Sequence, residues 1–401
     1  MHWGAPVNLA VTYLGKRFEN PFVLASGPPT ANADMIARAF EAGWAGAVIK
    51  TIVLEPMRNL HNRFASLRCG RDIIGFENIE LVSERPPEDW FRDICRLKKG
   101  FPGKPVIGSI MGDAVHPEPW LDLALGCQDA GCDLVELNFS CPHGYPEKGK
   151  GAAIGQNAEY AGRITGWLKN DRRITVPLVP KLTAATADIA FIGRAVAEAG
   201  ADGLCAINTC PSIVGIDLQT LLPRPAVNGR TAAGGYSGPG LKPIALRCVS
   251  DLVKQPGLPV MACGGVASGL DAAEFMLLGA PVVQVCTAVM LHGYAVLERM
   301  KHELRQFMSE HDFNAPGDFL GTANRSVVSF SELNSSYKVK PAVDPAKCDG
   351  CGRCAISCRD AAAQAISMQG KLARVDAAKC MGCSLCVQVC PKQAIQMVSA
   401  G

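Results

Sequence analysis

The sequence carries little net charge and no long hydrophobic run. Its 401 residues hold 40 Lys and Arg against 37 Asp and Glu, a formal +3, so no basic field argues for nucleic acid. No stretch approaches the roughly 20 apolar residues that a spanning helix needs, which argues against a membrane partner. The opening MHWGAPVNLAVTYLGKRFENP has no basic segment followed by an apolar one; no secretory leader is read there, and the expected location is cytoplasmic. A further absence bears on fold. No G-x-G-x-x-G follows the first predicted strand, where the chain reads SGPPTAN, and this disfavours an open dinucleotide-binding sheet.

What is present from residue 20 to about 310 is an alternation of short apolar runs and helical patterns. The runs are FVLAS (22–26), AVIK (47–50), PVIGSI (105–110), DLVELN (133–138), PLVPKL (177–182), GLCAIN (203–208), PVMACGG (259–265) and PVVQVC (281–286). Between them lie amphipathic segments such as ADMIARAFEAG, PWLDLALGCQDAG, IAFIGRAVAEAG and GLDAAEFMLLG, and most end at glycine, as helix C-caps prefer. Eight such units predict an α/β fold, an eight-stranded (β/α)8 TIM barrel. LAVTYLGKRFENP reads as a β-hairpin around Gly15 that plugs the barrel floor, and AVLERMKHELRQFMSEH as a long helix after the last strand. The expected division is a barrel over 1–314, a linker over 315–338 and a small C-terminal α+β ferredoxin-like domain over 339–401.

Of the 18 cysteines, eight fall between Cys348 and Cys390. They form two copies of C-x2-C-x2-C-x3-C, KCDGCGRCAISC and KCMGCSLCVQVCP, offset by 32 residues. This is the spacing of two-cluster ferredoxins, in which the fourth cysteine of each run serves the other cluster. The expected 4Fe-4S sets are Cys348, Cys351, Cys354 and Cys390, and Cys380, Cys383, Cys386 and Cys358. Disulfides compete poorly, because the scattered cysteines show no framework; for zinc, the tight third cysteine is surplus. A metal-free, decayed repeat is the other alternative, although all eight ligands stand. One departure is visible, in that Arg359 replaces the proline that follows the fourth cysteine in the second copy, and three extra residues precede Ala365 and Ile366. A module this small has little core, so clusters would hold it folded and it would pass single electrons.

A barrel joined to an electron wire needs a centre that takes electrons singly and spends them in pairs, and a flavin does both. The loops after strands seven and eight, CGGVASG (263–269) and VCTA (285–288), with GGYSGPG (234–240) before them, are the expected phosphate site, since glycine lets backbone N–H groups approach. Lys50 and Lys181 end strands two and five; an ammonium in the mouth could neutralise an anionic reduced flavin, and the bland alternative is a snorkelling surface lysine. Asn78, Asn138 and Asn208, with Ser140 and Thr209, converge from three strand ends or loops. Carboxamides suit a planar ring of alternating C=O and N–H groups, although asparagine is also common in turns.

These residues carry a likeness. NPFVLAS, AVIKT, ENIEL, ELNFSCPHG, PKLTA, AINT, GGYSGPGLKPIALR and CGGV resemble the dihydroorotate dehydrogenase-like flavin barrels. SCPHG and ENIEL, with the double ferredoxin repeat, resemble in particular the dihydropyrimidine dehydrogenases. The resemblance implies FMN in the barrel and reduction of uracil or thymine to the 5,6-dihydro base. Carried over by position, the flavin contacts fall on Ser26, Lys50, Thr51, Asn138, Lys181, Gly238, Cys263, Gly264, Gly265, Cys286 and Thr287. The pyrimidine contacts fall on Asn78, Glu80, Asn138, Ser140, His143, Asn208 and Thr209, and the catalytic acid on Cys141.

Cys141 ends an apolar strand and opens the loop HGYPEKGKGAAIG, which places it at a rim. The resemblance implies a chemical role for it, because hydride passing from FMN N5 to C6 of the base leaves charge that C5 quenches by taking a proton. A thiol, with a reference pKa of about 8.5, is protonated at neutral pH yet yields its proton readily; the loop would be a lid that excludes water. The structural alternative is an inert thiol at a strand end. Because no dinucleotide site is visible, FAD and NADH are expected on a partner subunit, in a heterotetramer. Two rival functions stay open, a dihydroorotate dehydrogenase-type enzyme and a non-catalytic electron-transfer protein.

Overall fold

In the computed structural model, which describes residues 7–142 and 149–399, the eight apolar runs form one closed parallel barrel. Its strands, in chain order, are Phe22–Leu24, Gly46–Val48, Val106–Ile110, Leu134–Asn138, Leu178–Leu182, Leu204–Ala206, Val260–Cys263 and Val282–Val285. Each pairs with its neighbours in sequence, and the eighth closes on the first through Val283 and Phe22. Strands buried on both faces read as continuous apolar runs; all five residues of Leu134–Asn138 are buried.

The helices that separate the strands start and stop where side chains dictate. Asn32, Asp188 and Ser268 each accept a hydrogen bond from a backbone N–H of the first turn they cap, which satisfies an otherwise orphaned donor. The chain then leaves several helices through a glycine at positive φ, as at Gly43 (94°), Gly200 (96°) and Gly279 (107°), a conformation that a side chain would oppose. Regular strand–helix alternation sends all eight strands the same way. Their C-terminal ends therefore ring a single mouth.

The floor is closed by the hairpin Val11–Tyr13 and Lys16–Phe18, turned through Leu14 and Gly15, both at positive φ. Tyr13 and Phe18 are buried, and the Tyr13 hydroxyl donates to Leu204 O at 3.0 Å, at the entry of the sixth strand. At the mouth the structure adds an element that periodicity did not reveal. Strands Phe64–Cys69, Asp72–Asn78, Gly234–Ser237 and Cys210–Ser212 form an antiparallel sheet, drawn from the loops after barrel strands two and six. Among the described residues no helix is long and apolar enough to cross a membrane.

The chain divides into two compact units, 1–327 and 328–401. Residues 316–327, expected in the linker, pack on the barrel. Phe319 is fully buried, Gly321 N donates to Met276 O at 2.9 Å, and Asn324 Oδ1 accepts from the Ser250 hydroxyl at 2.6 Å. Aperiodic sequence hid this because single turns bury side chains without a repeat.

The second unit is built twice over. Strands Val339–Val343 and Ile395–Ser399 pair, as do Ile366–Gln369 and Leu372–Val375. Asp344 N donates to Ala394 O and Asp376 N to Ala365 O, both at 2.7 Å. Each bond ties the start of one cysteine run to the end of the other. Cys348, Cys351, Cys354 and Cys390 line one pocket. The extra residues after Cys358 coincide with a nine-residue helix where the second copy has four. Thereafter the copies coincide: Gln364 and Gln393 both take positive φ, and the next amide N–H donates to Cys358 Sγ and Cys390 Sγ at 3.2 Å in each.

Two outcomes follow from this architecture. Tyr13→Phe, which leaves a buried carbonyl short of a donor, should cost about 1–2 kcal/mol, read as a lower denaturation midpoint; an unchanged midpoint would free the floor of this bond. Cys390→Ser and Cys348→Ser should lose the same cluster signal in electron paramagnetic resonance, with about half the iron. A Cys390→Ser chain that instead lacks the signal missing from Cys380→Ser would contradict the exchange of ligands between runs.

Candidate active site

The barrel mouth and the sheet above it enclose a cleft of about 1210 Å³, partly open to solvent. Barrel geometry explains who lines it. Ser26, Lys50, Thr51, Asn138 and Cys141 come from the ends of strands one, two and four. Lys181, Asn208, Cys263, Cys286 and Thr287 come from strands five to eight. Asn78 and Glu80 enter from the second strand of the added sheet, and Gly238, Gly264 and Gly265 from the loops. Ser140 does not line the cleft. It is fully buried beneath, donating to Asn138 Oδ1 at 3.2 Å and accepting from Asn208 Nδ2 at 3.1 Å. His143 lies outside the described residues, as does part of the segment expected as a lid.

Each of the two lysines also faces a carboxylate. Lys50 Nζ lies 2.7 Å from Glu80 Oε2, and Arg63 Nε holds the other oxygen of Glu80 at 3.1 Å. Lys181 Nζ donates to Gln284 Oε1 at 2.7 Å and lies 3.4 Å from Glu136 Oε1. Gln284 Nε2 in turn donates to Glu136 Oε2 at 2.7 Å. Burial alone would lower the Lys181 pKa, but the Glu136 carboxylate outweighs it and the net shift is upward. Glu136 therefore favours the charged form of Lys181. Gln284, Glu136 and Arg63 were missed in the sequence. For the first two a signal existed: a polar residue inside PVVQVC or DLVELN must face a polar partner in the barrel interior.

Hydroxyl and amide groups form a connected network under the cleft. Thr51 Oγ1 bonds Ser26 Oγ at 3.1 Å and Ser109 Oγ at 2.8 Å, and accepts from Asn138 Nδ2 at 3.0 Å. Asn208 Oδ1 accepts from Thr209 N at 2.8 Å, while Asn78 Nδ2 donates to Gly235 O at 3.2 Å. Among the described residues, each of the three carboxamides makes one hydrogen bond through its Nδ2.

The glycines have steric reasons. Gly265 sits at φ 79°, and a Cβ there would meet Lys242 N at 2.6 Å, where the helix Lys242–Lys254 begins. On Gly27 a Cβ would stand 2.6 Å from Cys286 Sγ. Burial raises the Cys263 thiol against the opposing Lys181 charge, and it pushes Cys286 up to about 12; both stay protonated at neutral pH. Cys141 is buried at the wall of the cleft. Its carbonyl accepts from Ala152 N at 2.9 Å, and Gly151, at φ 59°, leaves room that a Cβ would take from it. Glycine surfaces beside a helix start, cations and carboxamides fit a flavin. In the second unit, the eight thiols in two C-x2-C-x2-C-x3-C runs, with N–H donors on Cys358 and Cys390, fit iron–sulfur clusters.

Comparison with known proteins agrees with this geometry. Residues 8–308 match the family model of dihydroorotate dehydrogenase, and residues 341–397 that of a 4Fe-4S dicluster domain. The chain is similar to the NAD-dependent dihydropyrimidine dehydrogenase subunit PreA of Escherichia coli (strain K12), with 38% identity over 368 residues, 91% of this chain and 88% of that one. It is 39% identical over 345 residues to the chloroplastic dihydropyrimidine dehydrogenase (NADP(+)) of Arabidopsis thaliana, covering 82% and 80% of the two chains. With the catalytic subunit of dihydroorotate dehydrogenase B (NAD(+)) of Pyrococcus furiosus it shares 36% over 322 residues, 80% of this chain and 100% of that one. The chain is an oxidoreductase that belongs to the dihydroorotate dehydrogenase family, with a flavin barrel and a 4Fe-4S dicluster domain in one polypeptide.

Proposed function

We propose that this chain is the catalytic subunit of an NAD-linked dihydropyrimidine dehydrogenase that saturates the 5,6 bond of uracil or thymine. The observation that carries the reading is the cleft wall, where Cys141 and the carboxamides of Asn78, Asn138 and Asn208 line one space. Ser26, Lys50, Thr51, Lys181, Gly264 and Gly265 would hold FMN, which would supply hydride to C6 of the base, and the eight cysteines of the second unit would hold 4Fe-4S clusters that would supply electrons singly.

The chain's own residues do the rest. The carboxamide N–H groups orient the ring through its carbonyl oxygens, which develop charge as C6 is attacked. Ser140 acts from below, holding Asn138 and Asn208 in place, and Thr209 stands beside them at the cleft wall. Lys50 and Lys181 offset negative charge on the flavin. Cys141 donates the proton to C5 from the face opposite the flavin, a step that suits a thiol better than a hydroxyl because its ordinary pKa is far nearer neutrality.

Electrons would arrive from a partner subunit with FAD and an NADH site, in a heterotetramer; the Escherichia coli relative is itself named a subunit. Dihydroorotate oxidation is the second reading, prompted by the Pyrococcus relative. A ring carboxylate calls for an uncommitted cation. Among the described residues, Lys50 and Lys181 at the cleft wall each already face a carboxylate, which favours the uncharged base.

Two experiments test the proposal. With the bound flavin reduced anaerobically, uracil should restore its oxidised spectrum and orotate should not; the reverse ranking would assign the chain to dihydroorotate. Cys141→Ala should keep flavin and iron but lower uracil reduction by about 10²–10⁴-fold. Undiminished turnover in that variant would remove Cys141 from the mechanism.

A further inference from the structure

One buried ion has no part in the reaction as described. Glu136 is 1% exposed on the fourth barrel strand, and Lys181, its counter-ion, is 4% exposed. Gln284, 1% exposed, joins them, accepting from Lys181 and donating to Glu136, with Met261 Sδ 3.0 Å from its amide nitrogen. Lys181 and Gln284 line the cleft, whereas Glu136 lies behind them. A carboxylate so placed touches no base and moves no proton, yet its negative charge enters every electrostatic balance in the mouth.

The charges within the two ion-pair groups at the mouth can be counted. Lys50, Lys181 and Arg63 bring three positive charges, and Glu80 and Glu136 bring two negative ones. Within these two groups the remainder is a single positive charge, of the sign that would answer an anionic reduced flavin ring. Without Glu136 the remainder would be two, and the site would favour the reduced ring more strongly over the oxidised one. A cofactor held too firmly in its reduced state gives hydride reluctantly.

We infer that Glu136 is a positioning and tuning residue: through Gln284 it fixes the Lys181 ammonium, and its charge keeps the flavin poised low enough to reduce a pyrimidine. This rests on the proposed reading of the cleft as a flavin site working in the reducing direction. It assigns the poise of the flavin to a residue that does not line the cleft. Arrangement and charge make separable contributions, since Glu136→Asp keeps the charge and Glu136→Gln keeps the shape.

The test uses the full chain loaded with FMN and clusters, and no pyrimidine. The flavin midpoint potential is measured by dye equilibration in wild type, Glu136→Gln and Glu136→Asp, together with flavin dissociation in both oxidation states. Glu136→Gln should raise the preference for reduced over oxidised flavin about tenfold, equivalent to about 30 mV for a two-electron couple, and Glu136→Asp should stay near wild type. An unchanged preference in Glu136→Gln, equal weakening or loss of flavin in both states, or the same rise in Glu136→Asp would overturn the inference. Because no base is present, a failed uracil assay leaves this result standing, and a failed titration leaves the pyrimidine assignment standing.

Discussion

A cation held away from water costs several kcal/mol unless something answers its charge, and this molecule is arranged around that requirement. Lys181 can end a barrel strand at 4% exposure only because Glu136 and Gln284 lie within reach. Lys50 likewise needs Glu80, and Glu80 is delivered by a sheet that is no part of the barrel. The added sheet therefore does more than roof the mouth. It carries one half of an ion pair whose other half grows from strand two, so the position of the roof and the charge of the site are a single property.

The barrel contributes convergence, and the second unit contributes repetition. Eight parallel strands bring chemically distinct residues, separated by up to 261 positions between Ser26 and Thr287, to one wall. The ferredoxin-like unit repeats one short design, with a left-handed glutamine before each N–H···S bond. Exchange of backbone bonds between its halves makes neither half complete alone. That suits a domain too small to rely on a hydrophobic core, where metal binding and folding are one equilibrium.

Much of this was legible in the sequence. The eight strands could be read because barrel strands are buried on both faces and appear as unbroken apolar runs, and the helices because glycines and cap residues punctuate them. Lys50, Lys181 and Cys141 announced themselves by standing where an apolar run stops. The roof was not legible: FASLRC and DIIGFEN (64–69 and 72–78) are half exposed, and their partner strand Gly234–Ser237 lies more than 150 residues on. Nor were the ion pairs, since Glu136 meets Lys181 only once strands four and five pair, and Glu80 meets Lys50 only once the roof is seated. Ser140 shows the converse limit, for its place beside Cys141 suggested the substrate while its side chain turns under the network. The linker boundary slipped for a related reason, because Phe319 and Asn324 bury themselves from single turns with no periodic trace.

The central claim is that a base lies between the flavin on one side and the Cys141 thiol on the other. The most direct measurement is the stereochemistry of uracil reduction in deuterated water by the cluster-loaded chain, read from proton couplings in the dihydrouracil formed. The account predicts addition of the two deuterons at C5 and C6 to opposite faces of the ring. Addition to the same face would contradict it, since proton and hydride would then come from one side.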